Sequence, residues 1–222
     1  MLNNRQSETL IKISFTIILL GYFLVWLPQP VVGLSFIGLE IGEWVKFIPQ
    51  VRQGDILPSR SFFYLPPVTL GAMMALWTAR WSNRRWKTWV IRGTALLISL
   101  LALPAIESFR DEPISQWVLR LLFIVVAAIA ILLATVYASR ESVPYTVPWA
   151  YFVGLGLIGA LLPLWIFLAI RPVAGEIIGS KVGFGVGILL NILGHGLLVA
   201  LGMIHLSRSK SVSSTKFSQE LN

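Results

Sequence analysis

Gly187, Asn191, Gly194, His195 and Gly202 recur along one late apolar stretch of the chain. At about 100° per residue they fall within an arc of roughly 100° on a helix. They form a small-and-polar stripe on a segment that is otherwise Leu, Ile, Val and Phe. A polar side chain held deep in a membrane is costly, so Asn191 and His195 read as a candidate buried polar site. The chemistry open to the pair is a hydrogen-bonded clasp between helices, or the binding of a proton or a polar solute. Gly187, Gly194 and Gly202 read as helix packing. Gly156 and Ala160, four apart in the preceding apolar stretch, have the spacing that lets helix backbones approach closely. The two stretches are expected to pack as a tight hairpin.

Two further groupings carry charge. Glu40 and Glu43 stand three apart, hence are neighbours on a helix, and such an acidic pair could hold a cation or share a proton. The competing reading is a solvated face with Glu43 near Lys46. Arg120 lies one turn inside an apolar stretch, and Glu107 ends the stretch before it. An ion pair between them would spare both charges. Arg92, one turn inside its own stretch, is expected to snorkel to water.

Other chemistry is excluded by what the sequence lacks. There is no cysteine, so there is no disulfide, thiolate metal site or iron–sulfur cluster. The two histidines, His195 and His205, are ten residues apart, about 80° around a helix and 15 Å along it. They cannot ligate one haem together. No HExxH, P-loop or dinucleotide-binding fingerprint occurs, and we expect neither metal nor cofactor.

The elements that must position these residues follow from composition. The chain has 222 residues, 56% hydrophobic and 13% charged, against about 25% charged in a soluble domain. Such a chain needs an apolar solvent. Six stretches are long enough to cross about 30 Å of hydrocarbon: roughly 11–30, 62–79, 89–107, 117–138, 149–170 and 184–206. The expected fold is all-α, a single six-helix bundle over 1–207. The segment 208–222 is a polar tail expected to be disordered. With the N-terminus inside, eleven Lys and Arg fall on the inner side and seven on the outer. That bias places both termini in the cytoplasm, in a protein of the plasma (inner) membrane. The block WSNRRWKTW (81–89) is the strongest determinant. The net charge of +8 is spread between spans, not gathered in a soluble patch, which argues against nucleic acid.

The outer loop 31–61 is the only long connection. Within it 35–48 is amphipathic, with Ile37, Ile41, Trp44, Val45 and Ile48 at helical spacing. It reads as a short interfacial helix, apolar side down on the membrane. Pro28, Pro104 and Pro163 fall in the outer parts of spans and could splay the bundle into an outward vestibule.

The layout of six spans, a long first outer loop and a histidine in span six resembles that of the rhomboid intramembrane proteases. That resemblance implies a serine nucleophile in a Gly-x-Ser-Gly turn of span four, with the histidine as base. Span four here, VLRLLFIVVAAIAILLATV, has no serine. Gly202 fits the family's glycine spacing after the histidine, but Leu198 stands where a glycine is expected. The resemblance is of layout only, and proteolysis by that route is excluded.

The expected function is a non-catalytic membrane component, an accessory subunit or assembly partner, with the lipid bilayer and a membrane protein as partners. The alternatives are a small-solute or proton-coupled transporter using Asn191 and His195, and an enzyme on a lipid-linked substrate using Glu40 or Glu43.

Overall fold

A computed structural model describes residues 3–28, 35–56, 58–139 and 146–220, and the chain is mostly helical. Helix α1 (Asn4–Phe23) starts on a reciprocal cap: Asn3 Oδ1 accepts from the Gln6 amide at 2.7 Å, and Gln6 Oε1 accepts from the Asn3 amide at 2.9 Å. Beyond it β1 (Val25–Pro28) pairs antiparallel with β2 (Ser35–Ile37). Two short helices follow, α2 (Gly38–Trp44) and α3 (Pro49–Gln53), joined by a 3-10 turn. Pro49 holds Ile48 extended and breaks the pattern there; it then starts α3, where its missing N–H costs nothing. Gly54, at φ +83°, ends α3 in the left-handed region.

The longer helices are α4 (Leu65–Trp77), α5 (Trp86–Ser99), α7 (Ile114–Ser139), α8 (Thr146–Ile178) and α9 (Val186–Glu220), with the one-and-a-half-turn α6 (Ile106–Asp111) between α5 and α7. Pro66 and Pro67 occupy the first turn of α4. The polar end of the chain continues as helix to Glu220; it contains neither Pro nor Gly to stop it.

Among the described residues four segments are long and apolar enough to cross a membrane: Arg60–Arg80, Ile114–Ser139, Thr146–Ile178 and Val186–Arg208. The first and third expected spans fall short of that measure for visible reasons. Helix α1 carries Arg5, Glu8 and Lys12, and α5 has 14 residues before a 3-10 turn and Pro104 end it.

Two clusters make most of the core. One joins Ile11, Phe15 and Ile18 of α1 to Leu70, Met73, Trp149, Phe152, Leu198 and Leu201. The other joins Tyr22, Trp26 and Phe63 to Ile166, Phe167, Ile170 and Ile188, and it is closed by Ile41, Val45 and Ile48 of the α2–α3 segment. Burying those three loop side chains contributes about 2 kcal/mol each. The interfacial-helix expectation is corrected here. The regular helix covers only Gly38–Trp44, and its apolar side lies on the bundle, not on lipid, because Tyr22, Trp26 and Phe63 offer it a protein surface.

Candidate functional site

Asn191 and His195 are fully buried on α9, facing α4 and α8. His195 Nδ1 lies 3.0 Å from the Asn191 carbonyl, one turn back. A carbonyl only accepts, so Nδ1 carries the proton in the neutral ring. Nε2 is then the acceptor, and it lies 3.0 Å from the Thr69 hydroxyl of α4. Asn191 Nδ2 donates to the Gly159 carbonyl of α8 at 3.0 Å. Pro163 explains that bond. It stands four residues after Gly159 and has no N–H, so the Gly159 carbonyl loses its helical partner and Asn191 supplies another. Gly159 also has to be bare, because a Cβ there would run into His195 Nε2 and Thr69 Oγ1. The site thus bolts three helices together.

The glycines divide by partner. Gly187 and Gly194 face α1: a Cβ on Gly187 would meet the Gly21 carbonyl at 2.7 Å, and one on Gly194 the Ser14 carbonyl at 3.0 Å. Gly202 faces α8 through the Trp149 carbonyl, and Gly156 on α8 faces Val199. Ala160 is buried beside this seam. The glycines therefore serve two neighbours of α9, where the sequence suggested one, and His195 reaches a third, α4.

At the opposite end of the bundle from His205, a charged cluster ties down the segment that carries α2 and α3. Glu43 Oε1 accepts from Arg120 Nη1 and from the Tyr64 hydroxyl, both at 2.6 Å. Its Oε2 takes Lys46 at 3.2 Å, with Arg60 at 3.9 Å. Glu112 joins Arg60 at 2.6 Å and Lys46 at 3.0 Å. Arg120 and Arg60 are almost wholly buried. Arg120 lies over the Tyr64 ring at 3.7 Å and donates to the carbonyls of Ala102 and Leu103; Arg60 donates to the Gly42 carbonyl.

Two sequence expectations are corrected by this cluster. The ion pair of Arg120 runs to Glu43, not to Glu107, because α2 lies over the start of α7 and brings a carboxylate closer. Glu40 and Glu43 do not share a ligand: Glu40 Oε2 turns back to the Ile37 amide at 3.4 Å, while Glu43 points to Arg120. Among the described residues no group of three or more His, Asp or Glu could hold a metal ion.

Burial opposes the charge of Glu43, but Tyr64, Arg120 and Lys46 outweigh it and hold the carboxyl down at about 2. Glu112 is likewise lowered despite burial, chiefly by Lys46 and Arg60. Burial pulls Lys46 down, yet bonds to Glu112 and Glu43 leave it raised. Depressed carboxyls contribute stability above their ordinary 4.5 and lose it as pH falls toward 2; the raised Lys46 contributes below 10.5 and fails only above it. The thermal midpoint should therefore stay flat between about pH 5 and 9 and drop on acidification below about 4.5. A midpoint that rises between pH 5 and 3 would contradict this.

A second cluster was missed by sequence reasoning. Arg92 is not snorkelling. It is buried, and donates to Thr78 Oγ1 at 2.9 Å, Asn83 Oδ1 at 2.7 Å and the Ala134 carbonyl at 3.1 Å. The available signal was Asn83, an amide four residues after the end of the apolar run, able to serve two sides at once: its Nδ2 donates to the Thr135 carbonyl and Ser139 Oγ of α7.

Comparison of the chain with protein-family models, with curated proteins and with solved structures finds no match in any of the three.

Proposed function

We propose that the protein is a six-span integral membrane protein of the plasma (inner) membrane, with both termini cytoplasmic, acting as a non-catalytic subunit or assembly partner of another membrane protein. The observation that carries this is α7. It is strongly apolar, yet only 17% of its most apolar stretch is buried in the protein, against 83% for Arg60–Arg80. Ala127, Ala130 and Ala134 are its buried face. On the opposite side Val118, Leu122, Val125, Ile129, Leu132 and Val136 are all exposed, at alternating spacings of four and three. That is the spacing of a helix-packing seam. The polar groups support the same reading. His195, Asn191, Glu43 and Arg120 are engaged inside the protein, and a carboxyl held well below its usual range, as Glu43 is, makes a poor general base.

A transporter reading retains one specific observation: Asn191 Oδ1 is buried without a hydrogen-bond partner, beside His195.

Photo-crosslinkers at Leu122, Ile129 and Leu132 should capture one membrane protein in native membranes. Crosslinkers at Leu161 and Leu193, equally exposed on α8 and α9, should capture none. Equal labelling of lipid alone at all five positions would overturn the subunit reading. Solute flux in vesicles abolished by His195→Ala would replace it with the transporter.

A further inference from the structure

The turn between α4 and α5 breaks a local rule of helix electrostatics. Residues 80–92, RWSNRRWKTWVIR, hold five cations and no acid, and no Asp or Glu occurs between Asp55 and Glu107. Helix α5 starts here with Arg85 as its cap residue, no side-chain cap and no acid in its first turn, while Lys87 lies in that turn. Cations at the positive end of a helix dipole are unfavourable. Among the described residues Arg84, Arg85 and Lys87 are exposed and make no ion pair. Arg92, buried behind them, is met by neutral acceptors only.

The turn is also braced. Asn83 is bonded to α7 and to Arg92, Trp89 Nε1 donates to the Asn83 carbonyl at 2.8 Å, and Thr88 Oγ1 donates to the Ser82 carbonyl at 3.0 Å. Three cations are thus presented on a fixed platform. Trp86 (70% exposed) and Trp89 (52%) flank them; indole at that exposure suits the headgroup level of a bilayer. Among the described residues no carboxylate pairs with Arg84, Arg85 or Lys87, so their charge is presented to the surroundings.

We propose that this platform docks the phosphate headgroups of anionic phospholipids in the inner leaflet, with Arg84, Arg85 and Lys87 as the contacts and Trp86 and Trp89 as interfacial anchors. The inference rests on the membrane reading above. Anionic lipid is the occupant the charge favours, because a ring of like charge beside exposed indole complements an anionic surface.

The test reconstitutes the full chain in vesicles of equimolar phosphatidylglycerol and phosphatidylcholine and measures the ratio of the two lipids that co-purify after detergent extraction. Phosphatidylglycerol should be enriched about threefold or more, less so at high salt. The triple variant R84Q/R85Q/K87Q should return the ratio to that of the vesicle, while R52Q at the other end of the bundle leaves it enriched. Helical circular dichroism and vesicle flotation confirm that each variant is folded and inserted. Enrichment unchanged in the triple variant, or absent from inserted wild type, overturns the proposal; the latter result would point to an acidic protein segment as the occupant. Failure to float with vesicles would refute the membrane reading instead, a separate outcome.

Discussion

Glu43→Ala should lower the thermal midpoint by about 6–12 °C, equivalent to about 3 kcal/mol in a chain of this size. Arg120 is 3% exposed, and Glu43 is its only carboxylate partner among the described residues. Removing one member of a buried pair leaves the other charge uncompensated, at a cost of about 3–5 kcal/mol. The low end applies because the Glu43 side chain is 34% exposed and water can enter the space it leaves. Arg120→Met should cost less. Glu43 then keeps Tyr64 and Lys46, while the methionine fills the space over the Tyr64 ring. A double-mutant cycle on the two positions should give a coupling well above the 0.2–1 kcal/mol of an exposed pair. Additive single effects would show that the Glu43–Arg120 pair does not hold the loop to the bundle.

Gly187→Ala should be comparably damaging, at roughly 2–3 kcal/mol, for a steric reason. The added Cβ meets the Leu24 carbonyl at 2.5 Å and the Gly21 carbonyl at 2.7 Å. Both are backbone atoms and cannot rotate away, so α1 and α9 must separate, and overpacking of this kind costs about 1–3 kcal/mol. The seat of Trp26, whose indole donates to that Gly21 carbonyl at 2.8 Å, opens with it. Gly196→Ala on the same helix is the control. Nothing lies within 4 Å of its Cβ position, and alanine favours a helix over glycine by up to about 1 kcal/mol, so this variant should match or exceed the wild type. Equal midpoints for the two variants would mean that the α1–α9 approach does not limit stability.

How far the site was legible differs residue by residue. His195 and Asn191 stood out because each is an isolated polar group in an apolar helix, a property of local sequence. Their partners did not. Thr69 is 126 positions from His195, and a threonine in a helix ordinarily donates to its own backbone; here the Leu65 carbonyl, 2.9 Å away, competes with His195 for the one hydroxyl proton. Gly159 became an acceptor only because Pro163 took away its helical donor, a local fact that mattered once α9 lay alongside. Arg120 announced that it needed a carboxylate, but nearness in sequence favoured Glu107, and the fold delivered Glu43 from 77 positions away.

Composition and periodicity by themselves determined that the chain is helical and apolar, and where four of the six expected spans run, because those properties depend on each residue's own solvation and on a repeat of 3.6. Tertiary structure decided which helix faces meet, that Ile41, Val45 and Ile48 pack into the bundle, and which charge answers which. Those outcomes depend on the positions of whole elements. A buried charge or an orphaned carbonyl is satisfied by whatever the packing brings within about 3 Å, not by its neighbours along the chain.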